Sequence, residues 1–187
     1  MCIRDRLYSF HHRWLNIGLL IWIDFFRSFP VLVLLILIFY GLPYANIQLS
    51  PFAATVISLG AVLAAFATEI FWAAIQAVPA GQWDAARSLG LGFFRILFLV
   101  ILPQAIRIAV PLLTNRAIAI TKGTALGTAV ALPELLGRAQ SAMAIAANPS
   151  PLTLAAALYL VFFVPLVVAS RWIERGVTPG PGRAQRR

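Results

Sequence analysis

From Val78 to Pro103 the chain reads VPAGQWDAARSLGLGFFRILFLVILP, gathering Gln82, Asp84, Arg87, Ser88 and Arg95 between Pro79 and Pro103. Its surroundings are far more apolar: the chain is 61% hydrophobic and 11% charged, with a mean hydropathy of +0.88. No ordinary soluble domain carries that balance, so the bilayer is the expected solvent. The polar stretch is then a loop between membrane helices. Asp84 in its first turn and Arg87 near its end complement the dipole of a short helix, and Gly90 suits the position just past that end. We read the segment as a docking helix at the membrane surface.

Fifteen Lys plus Arg against six Asp plus Glu give a net charge of +9. The basic residues fall between and after apolar runs, as in cytoplasmic loops, rather than on an aromatic-studded basic face, which argues against nucleic acid as a partner. Cys2 is the single cysteine, so neither a disulfide framework nor a thiolate metal site is available. The first six residues, MCIRDR, back-translate to ATGTGTATAAGAGACAG plus one base, the transposon end used in sequencing libraries. Met1 to Arg6 are therefore expected to be non-native, with the true chain beginning upstream and one membrane helix lost.

Apolar runs set the expected spans, each needing about 20 residues. Pro30 to Leu42 is too short alone, so the first visible span starts before Pro30, with Asp24 and Arg27 as an interfacial salt bridge at i,i+3 spacing. Phe52 to about Ile70 pairs small residues four apart (Ala54 and Ser58, Gly60 and Ala64, Ala61 and Ala65), the pattern of a central helix approached closely by its neighbours. The alternative is a lipid-facing helix that happens to be rich in alanine. After the loop a span begins at Phe93 by hydropathy, or near Ile101 if FFRILFLVIL belongs to the loop. Arg107, Arg116 and Lys122 interrupt it. Each would cost about 2.5 to 3.5 kcal/mol at mid-bilayer. Arg107 and Lys122 can snorkel; Arg116 must face protein or water, and is the expected pore-lining residue. Thr128 to Ala147 reads as a short or re-entrant helix, and Leu152 to about Ser170 as the last span. Residues 176–187 are expected to form a disordered tail.

Arginine distribution orients the chain. Arg87 and Arg95 lie in the loop and Arg171, Arg175, Arg183, Arg186 and Arg187 at the C-terminus, whereas the opposite connections hold only Arg138. Loop and C-terminus are therefore expected in the cytoplasm, with Trp72, Trp83 and Trp172 at the inner interface and Tyr40 and Tyr44 at the outer one. No G-x-x-x-x-G-K-[ST] is present, so any nucleotide must be handled by another subunit. Adjacent His11 and His12 lack a carboxylate cluster, and the acidic residues form no catalytic pair; neither a metal site nor an enzyme activity is expected. Gly123 and Gly127 fit G-x-x-x-G, a weak signal for close helix passage.

Several spacings in the loop agree with one pattern. Asp84, Ala85, Ala86, then Gly90 after three residues, then Leu102 and Pro103 resemble the EAA loop of ABC importer permeases, E-A-A-x3-G-x9-I-x-L-P. GQWDAARSLGLG, ILPQAIRIAVPLLTN, TKGTAL and FFRSFP further resemble the permeases of polar amino acid uptake systems, over Phe25 to about Arg175.

The resemblance implies an all-α, polytopic helical bundle, the type I ABC importer transmembrane domain, with about five spans, four of them visible here. Residues 7–175 would form the permease domain in a bacterial inner membrane. It also implies a second permease subunit, identical or sister, an ATPase subunit dimer holding ATP and magnesium, and an extracytoplasmic amino-acid-binding protein; the chain itself would hold no cofactor. The ATPase-docking loop would comprise Gly81, Asp84, Ala85, Ala86, Arg87, Gly90, Leu102 and Pro103, and the substrate pathway Asn115, Arg116, Thr121 and Lys122. In that family the following span begins near the I-L-P, favouring Ile101. There are four departures: Asp84 replaces Glu, Val100 stands where the pattern has Ile, Trp72 where relatives commonly have Arg, and Arg116 where many carry an acidic or apolar residue. An ion-coupled secondary transporter, using Glu69 or Glu134, and a noncatalytic membrane assembly protein are the rival readings.

Overall fold

The computed structural model describes residues 13–177, all helical or irregular with no strand among them. Met1 to Arg6, the two histidines and the tail beyond Val177 lie outside the described residues. Helix α1 (Arg13–Ser28) stops at Pro30, which has no N–H to donate and restricts Phe29 before it. Helix α2 (Val31–Ile36) runs on through a π turn (Leu37–Gly41) and a 3-10 turn (Leu42–Ala45) to Asn46, whose left-handed backbone (φ 60°) ends it. Instead of one straight span, the chain bends by 101° between Ile21–Ser28 and Val31–Ala45.

Helix α3 (Pro51–Ala77) opens on Ser50, whose Oγ accepts from the Ala53 N–H at 3.1 Å, with Pro51 pre-set in the first turn. It contacts α1, α2 and, most extensively, α6 (below), and is the central helix expected from its small residues. Ala54, Ser58 and Ala65 are buried, while Gly60 and Ala64 face outward. Thr55, Ser58 and Thr68 return their hydroxyls to carbonyls one turn back at 2.7 to 2.8 Å, so they need no outside partner in an apolar setting. Pro79 ends α3 by forcing Val78 into an extended conformation (ψ 126°).

Helix α4 (Ala80–Ser88) is the short polar helix, and α5 (Phe93–Ile96) follows it. A π turn (Leu97–Ile101) joins α5 to α6 (Leu102–Lys122), and a 3-10 segment (Gly123–Val130) extends α6. Glu134 caps α7 (Leu135–Ala146); α8 (Ser150–Val177) completes the bundle against α6 and α7. Three stretches are long and apolar enough to cross a membrane: Pro51–Ala77, Phe93–Val130 and Ser150–Trp172. The bent pair would be a fourth.

The antiparallel pairing of α3 and α6 fixes which part of the 38-residue stretch lies within the bundle. Gly123 faces Leu59, where an added Cβ would stand 3.2 Å from Leu59 Cδ2; Arg116 lies on Phe66; and Ala105 and Ala109 share a buried cluster with Ala74 and Val78. At 1.5 Å per residue the whole stretch would measure about 57 Å, against a hydrocarbon core of about 30 Å. Phe93 to Ile101 runs on past the end of α3 and packs on α4. The helix thus begins where hydropathy has it, at Phe93, while the part paired with α3 begins near Ile101.

Candidate functional site

Helix α4 is built to present one face. Trp83 and Ala86 turn inward, buried in one cluster with Ala74, Val78, Ile96, Ile101, Ala105 and Ala109. Gly81, Gln82, Asp84, Ala85, Arg87 and Ser88 face outward. The helix ends in a Schellman turn: the Gly90 N–H donates to the Arg87 carbonyl at 2.9 Å and the Leu91 N–H to the Ala86 carbonyl at 3.3 Å, with Gly90 at φ +75°. The three-residue gap between Ala86 and Gly90 is the spacing this stop requires. One local expectation changes: the helix starts at Ala80, so Asp84 is its fifth residue rather than part of the first turn, and pairs loosely with Arg87 at 3.7 Å. Both side chains are largely exposed, so the pair is worth little and leaves them available to a partner. Leu102 and Pro103 lie about two turns after α5 begins, with Pro103 outward, beyond the docking face itself.

Trp83 does not join an interfacial aromatic belt; it is 7% exposed and stacks on Phe93 at 6.0 Å. Trp72 and Trp172 are exposed.

The four pathway residues do not converge. Successive α6 residues differ by about 100°, so Asn115 and Lys122 share a face and Arg116 does not. Asn115 donates to Glu174 of α8 and accepts from Ser170 at 3.5 Å, and the Lys122 ammonium lies 5.6 Å from the Phe163 ring, also on α8. Thr121 donates to its own helix at Ala117, 2.8 Å away. Arg116 faces α3, its guanidinium carbon 3.2 Å above Phe66. The other edge of this cluster is Arg27, 5.5 Å from the same ring and ion-paired with Glu69 at 2.9 Å. The expected Asp24–Arg27 bridge is replaced by this longer-range one, because the bend at Pro30 lays α1 against α3. Phe66 and Gln104 are not singled out by the sequence, and Glu69 is marked there only as a candidate for ion coupling, not as the partner of Arg27.

Glu134 is also engaged. Burial opposes its ionisation, but hydrogen bonds from Thr128, the Leu136 and Gly137 N–H groups and Tyr159 outweigh that and hold the carboxyl below its ordinary range. Glu69 and Glu134 therefore both have fixed partners, a poor arrangement for a carboxylate that must shuttle ions.

Residues 7–179 match the family model described as "Binding-protein-dependent transport system inner membrane component". The chain is 40% identical over 120 residues to a probable amino-acid ABC transporter permease protein, YckA, of Bacillus subtilis (strain 168), covering 64% of this chain and 53% of that protein. It is 34% identical to an arginine transport system permease protein, ArtQ, of the same organism, covering 83% and 74%. Among solved structures it resembles a crystal structure of an amino acid ABC transporter with histidines, at 33% identity and a TM-score of 0.78, over 82% of this chain and 72% of that one. The chain spans about half the length of the first curated relatives it matches.

Proposed function

The chain belongs to the family of binding-protein-dependent transport system inner membrane components, and from that premise we propose that it is the membrane-spanning subunit of an ATP-driven importer of polar amino acids. The observation that carries this reading is α4: a short helix stopped at Gly90, anchored by Trp83 and Ala86, with Gly81, Asp84, Ala85 and Arg87 turned outward. Such a helix offers a rigid, hydrogen-bonding surface to a partner and has no nucleotide motif of its own.

In this reading α4 and the C-terminus lie in the cytoplasm and α7 outside. Two ATPase subunits hold ATP and magnesium, and two permease subunits, identical or sister, meet in the membrane. An extracytoplasmic binding protein delivers the solute. Closure of the ATPase pair moves the docked α4 helices and turns the central site outward; hydrolysis returns it inward.

Arg116 gives the solute path a positive charge, because Glu69 neutralises Arg27 at the far edge of the Phe66 ring while Arg116 sits directly on it. A cationic solute is disfavoured and an acidic or zwitterionic one favoured. Co-purification from membranes tests the assembly: an ATPase subunit should accompany the tagged chain and be lost in Asp84→Lys, while its absence from the wild type would refute the reading.

A further inference from the structure

The link between α4 and α6 is two-sided. On its apolar side Trp83 stacks on Phe93 and sits with Ala86 among Ile96, Ile101, Ala105 and Ala109. On its polar side Gln104 Nε2 donates to the carbonyl of Val100, within the π turn, at 2.8 Å, and to Gln82 Oε1 of α4 at 3.4 Å. One amide thus ties together the π turn, the first turn of α6 and the docking helix. Only Leu89 to Gly92 lie between α4 and α5, and the Schellman stop bonds Gly90 and Leu91 back to α4, too little free chain for the helix to swing freely.

Trp83 contributes shape and not a hydrogen bond. Its indole N–H is buried with no acceptor among the described residues, a cost tolerated only where the ring's packing outweighs it. The ring is held at 7% exposure by this chain's own residues, beyond the reach of a docked partner.

We propose that Gln104 and Trp83 are positioning residues that weld α4 to the start of α6, so that the docking helix and the segment Phe93–Ala109 move as one body through the transport cycle. This inference rests on the importer reading above and adds which bonds transmit the motion. A π turn one residue before α6, beside Pro103, which cannot donate to Leu99, would otherwise be a point of bending. The Gln104 side chain braces that turn from outside.

The test uses the complete complex with its binding protein in proteoliposomes, the chain carrying Gln82→Cys and Gln104→Cys with Cys2 replaced by serine. A short, cleavable, thiol-specific crosslinker then joins the two positions. The cysteine pair removes the Gln82–Gln104 bond, so if the segments move together the crosslinked complex keeps ATP-dependent uptake at or above the level of the untreated complex. Loss of uptake on crosslinking, with recovery on cleavage, overturns the weld and leaves the importer reading intact. No ATP-dependent uptake by the wild-type complex overturns both. A second pair of variants reads the polar bond directly: Q82E/Q104E sets two carboxylates face to face and should lower solute moved per ATP by about fivefold, the equivalent of one ordinary hydrogen bond. Q82E/Q104K restores an acceptor and a donor and should recover most of that ratio, which a purely structural defect would not do. Equal ratios in wild type and both variants would refute the role of Gln104.

Discussion

The guanidinium carbon of Arg116 on α6 lies 3.2 Å from the centroid of the Phe66 ring on α3. A stacked guanidinium keeps its charge and is held in place by a contact worth about 0.5 to 2 kcal/mol. Arg116→Ala should therefore shift the preference for glutamate over arginine by about tenfold toward arginine. Phe66→Leu, which keeps the charge and frees the side chain, should shift it less. Competition uptake assays measure both, and unchanged selectivity in Arg116→Ala would remove Arg116 from the path.

Arg27 and Glu69 join α1 to α3 across the bend at Pro30. Their side chains are 35% and 42% exposed in the isolated chain, so Arg27→Ala should cost about 1 kcal/mol or less of stability. The swapped pair Arg27→Glu with Glu69→Arg should recover it. Thermal unfolding in detergent provides the comparison, and a swap no better than either single change would rule out a direct pair.

Gly90 holds φ +75°, where an L side chain costs about 1 to 2 kcal/mol. Gly90→Ala has open space for its Cβ, so any loss comes from backbone strain alone. Membrane insertion should be unchanged while ATPase co-purification falls. Full retention of the ATPase would mean that the Schellman stop is not needed for docking.

The lowered pKa of Glu134 makes its contribution dependent on pH. The folded carboxyl titrates below the unfolded value of about 4.3, so its stabilisation is complete above that value and is lost as pH falls through the folded one. Glu134→Ala should cost about 1 kcal/mol at neutral pH through loss of the α7 cap. The gap in melting temperature between wild type and variant should persist down to about pH 4.5 and narrow below it. A gap that widens on acidification would contradict the network.

What the sequence made legible follows from what acts locally. Pro51, Pro79 and Gly90 act on their own backbone, so the start of α3 and the end of α4 can be read from the sequence, whereas α3 runs on past the expected Ile70 to Ala77, where Pro79 stops it. Helix α7 ends beside the expected Ala147 but begins at Leu135 rather than Thr128, because Gly123–Val130 extends α6 and Glu134 supplies the cap. The pairing of Arg27 was misread because its partner lies 42 positions away and depends on the angle at Pro30, which no periodicity encodes. Trp83 was misassigned for a related reason: a tryptophan beside a membrane suits an interface, and only the fold of Phe93 back onto α4 buries it. Asn115, Arg116, Thr121 and Lys122 are close in sequence, yet helical rotation turns them toward different neighbours, which the resemblance that grouped them does not encode.

Solute uptake into proteoliposomes carrying the complete complex is the most direct measurement, made with ATP, with ADP, and with ATP plus ionophores that collapse ion gradients. Uptake should require ATP, fail with ADP and be indifferent to the ionophores. Uptake that proceeds without ATP and collapses with the gradients would contradict an ATP-driven permease and assign the work to ion coupling instead.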